Sequence, residues 1–367
     1  MNDAPPLVVV AAGGTGGHLF PAQALSAALA RRGLIVDLAT DERATRYGSE
    51  FPARATHIIP SSTLRAGDPF AVAQTLAALG RGTAMAVKLF ARLRPAVVIG
   101  FGGYPTIPPV IAAALRRIPT IIHEQNGVMG RANRLLAPFV RAIATSFPGA
   151  LGSGKAIASK ATHTGNPVRE AVIDAANVSY VAPAEALRLL AFGGSQGARI
   201  MADIVPPAIE TLPKELRERL VIVQQARDED VARVQATYDR LGIHATVAPF
   251  FPGLPARMAA SHLVVSRAGA TTVAELAAIG RPAILVPLPH ALDQDQRANA
   301  KVLEQAGGAI RIEQTEFTPQ RLAAEIASLA SAPQRLAAMA AAARSCGAPD
   351  AAERLADLVQ RVAGLAR

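Results

Sequence analysis

The stretch from Val264 to Asn299 constrains this chain more than any other. An apolar strand at 263–265 runs into Ser266-Arg267-Ala268-Gly269. A helix follows over 271–279, Gly280 stops it, and a second apolar strand covers 283–286 before a polar loop. Strand, helix and strand in so short a span is one βαβ unit, which predicts parallel strands with ligand-facing loops at their carboxyl ends. Gly269 lets the backbone approach a ligand, and the amides after it sit at a helix N-terminus, a place that favours anions. Glu275, one turn in, has a carboxylate able to accept two hydrogen bonds from vicinal hydroxyls. Phosphate plus ribose is the ligand these residues fit. A capped helix with one solvated Glu fits them as well.

A chain of 367 residues is expected to form two domains. Hydrophobic residues make up 50% and aromatics only 4%, with no Trp, so both cores must be built from Ala, Leu, Val and Ile. No apolar run reaches the ~18 residues of a spanning helix, and the N-terminus lacks the basic and apolar regions of a secretory signal. The single Cys346 rules out an internal disulfide framework and suits a reducing compartment. The formal net charge is +10, nearly all of the basic side chains being Arg. That excess points to an anionic partner such as an acidic membrane surface. Nucleic acid is not expected, because there is no Lys/Arg block, zinc finger or RNA-binding signature.

Two glycine loops follow strands in this chain. Residues 6–12 are an unbroken apolar strand, then come Gly13-Gly14-Thr15-Gly16-Gly17-His18 and a helix to about residue 30. Strand, glycine turn and helix cradle phosphate. The spacing differs from the dinucleotide Gly-x-Gly-x-x-Gly, although Asp41 near the end of the next strand leaves a dehydrogenase open. A strand at 189–191 leads to Phe192-Gly193-Gly194-Ser195-Gln196-Gly197-Ala198-Arg199, echoing the first and predicting two similar halves. Between them, strand 97–99 leads to Gly100-Phe101-Gly102-Gly103-Tyr104, and strand 120–122 to a loop His123-Glu124-Gln125-Asn126. Residues 70–94 read as helical, as two helices breaking near Gly80–Gly82. Apolar Phe70, Leu76, Leu79, Met85, Leu89, Phe90 and Leu93 alternate there with Arg81, Lys88, Arg92 and Arg94. Such a helix either packs on a sheet or lies on an anionic bilayer. Gly149–Ala156 begins like a Walker A loop but ends in Ala where the magnesium-binding hydroxyl belongs, so it reads as a surface loop.

Taken in order, Gly-Gly-Thr-Gly-Gly-His, Gly-Phe-Gly-Gly-Tyr, His-Glu-Gln-Asn, Asn166-Pro167-Val168-Arg169, Gly-Gly-Ser-Gln-Gly-Ala and the 264–299 stretch resemble the MurG family. These are bacterial peptidoglycan N-acetylglucosaminyltransferases with the GT-B fold. The resemblance spans nearly the whole chain and implies an α/β protein with two Rossmann-like, doubly wound parallel-sheet domains facing a cleft. It implies an acceptor- and membrane-associating domain at 1–167, a UDP-GlcNAc-binding domain at 168–347, and a helix over 348–367 returning to the first domain. It implies inverting transfer of GlcNAc from UDP-GlcNAc to an undecaprenyl-linked lipid acceptor. The enzyme would work peripherally at the cytoplasmic face of the bacterial inner membrane, with other cell-wall synthesis proteins as potential partners and no cofactor.

The resemblance also assigns roles. Arg169 and the loop Ser195, Gln196, Gly197 fall to the donor diphosphate, Glu275 to the ribose, and Asn126 and Gln296 to the sugar. Phe251 falls to the uracil ring, and Thr15, Gly16, Gly17, Ala270, Thr271, Thr272, Val273 and Ala274 line the donor. Gly103 and Tyr104, with Arg81, Lys88 and Arg92, fall to the acceptor and the membrane. The chemistry needs a base for the acceptor hydroxyl and positive groups for the leaving diphosphate. His18 is the first titratable group after its glycine loop and is the expected base, with His123 and Glu124 as rivals. Asp-x-acid pairs at Asp228-Glu229-Asp230 and Asp293-Gln294-Asp295 resemble metal motifs, yet no metal is assigned. The first opens a helix and complements its dipole. The relatives vary at Asp295, which leaves its sugar contact open. Two other classes remain: a GT-B UDP-GlcNAc 2-epimerase, and a non-catalytic UDP-sugar-binding membrane scaffold.

Overall fold

The computed structural model describes residues 5–13, 16–42, 51–62, 69–151, 155–194, 197–289 and 294–365. Two compact units form, residues 1–169 with 348–367, and residues 170–347.

The first unit holds strands β1 (Leu7–Ala11), β2 (Ile35–Thr40), β3 (Ala55–Ile58), β4 (Val97–Gly100), β5 (Thr120–Glu124), β6 (Ala142–Thr145) and β7 (Ala161–His163). They pair all-parallel in the order β3-β2-β1-β4-β5-β6-β7. Its helices are α1 (Gly16–Arg31), α2 (Pro69–Leu93), α3 (Ile107–Leu115), α4 (Arg131–Leu136) and the single turn α5 (Lys155–Ala158). The second unit holds helices α6 (Glu170–Ala176), α7 (Arg199–Glu210), α8 (Lys214–Arg217), α9 (Asp228–Arg240), α10 (Leu254–Ala260), α11 (Ala270–Ile279), α12 (Asp295–Ala306), α13 (Pro319–Ala330) and α14 (Pro333–Ser345). Its strands β8 (Leu187–Phe192), β9 (Leu220–Gln225), β10 (His244–Ala248), β11 (Leu263–Ser266), β12 (Ala283–Leu285) and β13 (Ala309–Arg311) pair all-parallel as β10-β9-β8-β11-β12-β13. The two sheets share one winding. In each, the first strand lies between the second and the fourth, so chain direction across the sheet reverses there, and a crevice opens at those carboxyl ends.

Strand periodicity explains the layers. In β1, Val8 and Val10 join Leu25, Leu29, Leu355 and Val359 in one apolar cluster, while Val9 and Ala11 join Phe90, Ala86 and Ala112 in another. Both faces are therefore covered, as parallel sheets require. The helix α15 (Ala351–Ala363) supplies part of the first cluster by packing on α1, so the end of the chain completes the first unit. Arg32 adds ion pairs to Glu353 and Asp357, both at 2.6 Å. Exposed pairs of this kind contribute about 0–1 kcal/mol each, so the buried Leu355 and Val359 do more. In the second unit, Leu189, Ala191 and Val265 meet Met201, Val205 and Ile209 of α7 and Leu322 and Ile326 of α13.

One expectation changes. The stretch 70–94 is one unbroken helix, not two. Gly82 is there for space: a Cβ on it would collide with the carbonyl oxygen of Pro60 and crowd Pro108, so the glycine permits close packing instead of a break. Leu89 and Phe90 are buried against the sheet, so only part of the apolar set on α2 faces outward. The edge strands β3 and β7 are short and lie mostly half-exposed or exposed, so the sequence shows little apolar alternation there.

The two glycines of α2 make opposite predictions. Gly82→Ala is expected to lower unfolding stability by about 1–3 kcal/mol through overpacking. Gly80 is exposed with open space around its Cα, so Gly80→Ala should raise stability by about 0.5–1 kcal/mol. Denaturant unfolding of the intact chain measures both, and equal effects would contradict the packing role of Gly82.

Candidate active site

In the first unit, the loops after β1, β4 and β5 lie side by side because those strands are neighbours. β5 continues through His123 and Glu124, so both are strand residues and not loop residues as expected. Glu124 is 1% exposed. One carboxylate oxygen accepts from the backbone N–H of Asn126 (3.0 Å) and from its side-chain amide (3.2 Å). The other accepts from the Gly130 N–H (3.0 Å) and from Asn133 Nδ2 (2.8 Å). Burial raises the Glu124 pKa above its ordinary value, and these hydrogen bonds offset only part of that rise. Both oxygens are engaged in shaping the 126–130 loop, which corrects the assignment of Glu124 as a rival base. His123 is fully buried, its ring tilted against Phe101 at 5.2 Å and its Nε2 donating to the Gly165 carbonyl at 3.1 Å. Burial holds its pKa down at about 4. A sealed imidazole does not reach a substrate, so His123 is corrected as well.

His18 differs from both. It stands in the first turn of α1, half-buried, with Nδ1 3.2 Å from the side-chain oxygen of Gln125. Gly102 and Gly103 sit at φ 78° and 75°, in the left-handed region. They also leave room around the ring, since a Cβ on Gly103 would stand 3.3 Å from His18 Nε2. The Arg169 guanidinium lies 3.9 Å from the centre of the Phe20 ring, two residues after His18. Asn126 and Tyr104 are half-buried, and Tyr104 opens a short 3-10 turn, Tyr104–Thr106. Gly16 is buried and Gly17 exposed at the start of α1. Thr15 lies outside the described residues.

In the second unit, the loops after β8 and β11 meet at the switch point. Gln225, at the end of β9, accepts from the Gly193 N–H at 3.0 Å and donates to the Pro249 carbonyl at 3.1 Å, tying the glycine loop to the β10 exit. A Cβ on Gly193 would collide with Ala198, and Gly197 has φ 68°, so the loop closes tightly. Ser195 and Gln196 lie outside the described residues, as does Asp293.

Gly269 caps α11, whose first turns carry half-buried Ala270, Thr271, Thr272 and Ala274. Glu275 is buried. The Val273 side chain is in the core, and its amide donates to Gly269 O at 2.9 Å. The Gln296 side-chain oxygen accepts from the amides of Leu288 (3.0 Å) and Ala268 (3.3 Å), joining the loops after β12 and β11. Arg267 is buried and spans to the Val286 and Pro287 carbonyls and to Gln314, with burial lowering its pKa. Phe251 is buried beside Arg257, whereas its neighbour Phe250 is 66% exposed and offers an aromatic face.

Sequence reasoning gave no role to Gln125, Gln225, Arg267 or Phe250. Only the position of Gln225 at a strand end could have drawn attention to it. Among the described residues, no three His, Cys, Asp or Glu side chains gather to hold a metal ion.

Two doubly wound parallel sheets, each with a glycine loop at its switch point, make up the GT-B fold. Residues 8–145 match the Glycosyltransferase family 28 N-terminal domain and residues 188–355 its C-terminal domain. A protein of Rhodopseudomonas palustris (strain ATCC BAA-98 / CGA009) is 63% identical over 99% of this chain and 100% of its own length. One of Bradyrhizobium sp. (strain ORS 278) is 60% identical over 100% of both. Both are named UDP-N-acetylglucosamine--N-acetylmuramyl-(pentapeptide) pyrophosphoryl-undecaprenol N-acetylglucosamine transferase, and the chain belongs to that family. The crystal structure of Acinetobacter baumannii MurG is similar at TM-score 0.78 and 32% identity, covering 97% of this chain and 100% of that one. A UDP-GlcNAc 2-epimerase from Neisseria meningitidis, at 13% identity and TM-score 0.69 over 97% of this chain and 100% of its own, shares the fold alone.

The burial of His123 has a pH signature. Its folded pKa of about 4 lies below the unfolded value near 6.5. Acid therefore protonates the unfolded chain first, and stability present above pH ~6.5 is lost as pH falls toward ~4. The loss from this residue is about 3 kcal/mol. His123→Asn should flatten that part of the stability–pH curve, and an unchanged slope would contradict the burial argument.

Proposed function

We propose that this protein transfers GlcNAc from UDP-GlcNAc to undecaprenyl-diphospho-N-acetylmuramoyl-pentapeptide, with inversion at the anomeric carbon, in peptidoglycan synthesis. The observation that carries this is identity of 60% or more, end to end, with relatives of that name. The second unit serves the donor. Glu275 takes the ribose hydroxyls, the Gly193–Gly197 loop and the α11 N-terminus take the diphosphate, and Gln296 supports the sugar. Phe250, the exposed aromatic, is the ring available to the uracil. The first unit serves the acceptor through the loops bearing Gly103 and Tyr104. Arg169 and Asn126 are further donor contacts. His18 removes the acceptor hydroxyl proton as the new C–O bond forms and the bond to UDP breaks, the electron pair leaving with the diphosphate.

Membrane association belongs to the layer of α2, α3 and α4. Leu76, Met85, Leu115, Leu135 and Phe139 are all exposed there, and Arg81, Lys88 and Arg92 lie on the outer face of α2. Large apolar side chains in water beside cations suit a bilayer surface with anionic lipid. No helix among the described residues is long and apolar enough to cross a membrane. We place the protein peripherally at the cytoplasmic face of the inner membrane.

Labelled UDP-GlcNAc with and without lipid acceptor tests the whole reading. Sugar appearing on the lipid supports it, whereas acceptor-independent epimerisation or mere binding overturns it. Two variants divide the roles. Glu275→Ala should weaken UDP binding about tenfold to a hundredfold by calorimetry. His18→Ala should cut kcat by at least ~10² with donor affinity little changed, and near-normal kcat would remove His18 as the base.

The membrane reading predicts that binding to anionic vesicles falls as salt rises. Arg81→Gln, Lys88→Gln and Arg92→Gln together should weaken vesicle binding without altering UDP affinity. Equal binding to neutral and anionic vesicles at every salt concentration would refute it.

A further inference from the structure

Gln125 is 2% exposed at the end of β5, and its side chain touches two groups. Its Nε2 lies 2.7 Å from the Phe101 carbonyl oxygen. A backbone carbonyl only accepts, so this contact fixes which end of the amide is NH₂ and which is oxygen. The oxygen then faces His18 Nδ1 at 3.2 Å. An amide oxygen also only accepts, so Nδ1 must carry the hydrogen. In a neutral imidazole the remaining lone pair is then on Nε2, the atom on the Gly103 side of the ring.

We propose that Gln125 is a positioning residue that locks His18 in its Nδ1–H tautomer, so that Nε2 is the atom that takes the acceptor's proton. This rests on the reading of His18 as the base. Each link of the chain is anchored by backbone: Phe101 O sets the amide, the amide sets the ring, and Phe101 N–H is itself bonded to Ala11 O at 2.8 Å. The proton passes from the acceptor hydroxyl to Nε2, the oxygen bonds the anomeric carbon, and UDP departs with the electron pair. His18 becomes an imidazolium still donating through Nδ1 to Gln125. A neutral amide holds the ring in orientation through a hydrogen bond alone.

Nitrogen NMR of the full-length protein with labelled histidine reads the tautomer directly, the His18 signals being those lost in His18→Gln. The expected spectrum has a protonated Nδ1 and an unprotonated Nε2. Gln125→Met keeps the length but has no acceptor oxygen. It should shift His18 toward the Nε2–H form and cut kcat at least ~tenfold, leaving KM for UDP-GlcNAc unchanged. A protonated Nε2 in the unmodified protein overturns the proposal before any variant is made, and so does a spectrum unmoved by Gln125→Met in a protein that melts normally. Retained kcat in His18→Ala would instead sink the base reading, while the tautomer would still be measurable.

Discussion

Parallel strand pairing is the constraint on which everything else here depends. Parallel strands cannot be joined by tight turns, so each must be followed by a crossover, and the helices so created cover both sheet faces. Every strand then ends at the same edge. Because β1 and β8 each lie between two neighbours reached in opposite directions, the loops beside them part and leave a crevice. The glycine loops follow those two strands. The winding puts them at the crevice, and the absence of side chains on glycine lets a phosphate approach the backbone.

The loops at these edges are held by carboxamides. Gln125 joins Phe101 to His18, Gln225 joins Gly193 to Pro249, and Gln296 joins Leu288 to Ala268. Gln125 and Gln225 each use their oxygen toward a donor and their nitrogen toward a carbonyl, which a carboxylate or an ammonium could not do. A neutral bridging group also avoids the desolvation cost of a buried charge. It leaves the field at the crevice to the helix N-termini and to arginine, which suits a site for a diphosphate.

Where full charges are buried, they are surrounded by hydrogen bonds. Glu124 gathers four donors from three residues and so builds the loop that carries Asn126. Arg281, 1% exposed, donates to the carbonyls of Val178, Ala259, Ile279 and Gly280 with its guanidinium 5.4 Å from the Tyr180 ring. It follows Gly280, whose φ of 68° ends α11, and ties that helix end to α10. These groups are fixtures of the scaffold, and their burial separates them from His18, which stays accessible.

The sequence by itself determined the strand–helix alternation, the parallel pairing and where the glycine loops fall. Apolar strands, glycine turns and amphipathic helices are local patterns with fixed periods, and their alternation admits little besides a pair of parallel sheets. It also singled out His18 and Glu275, because a titratable group after a glycine loop is visible in one dimension. Only the tertiary structure decided which polar residues are sealed. His123, Glu124 and Gln125 are adjacent and all buried, yet His123 packs on Phe101 and bonds to Gly165, Glu124 bonds to Asn133, and Gln125 alone turns toward His18. Phe250 and Phe251 are likewise identical in type and adjacent, with opposite exposure. Whether Gly82 breaks a helix or admits a neighbour depended on Pro60, more than twenty residues away. Burial and hydrogen-bond partners are set by residues distant in the chain, and local pattern carries no record of them.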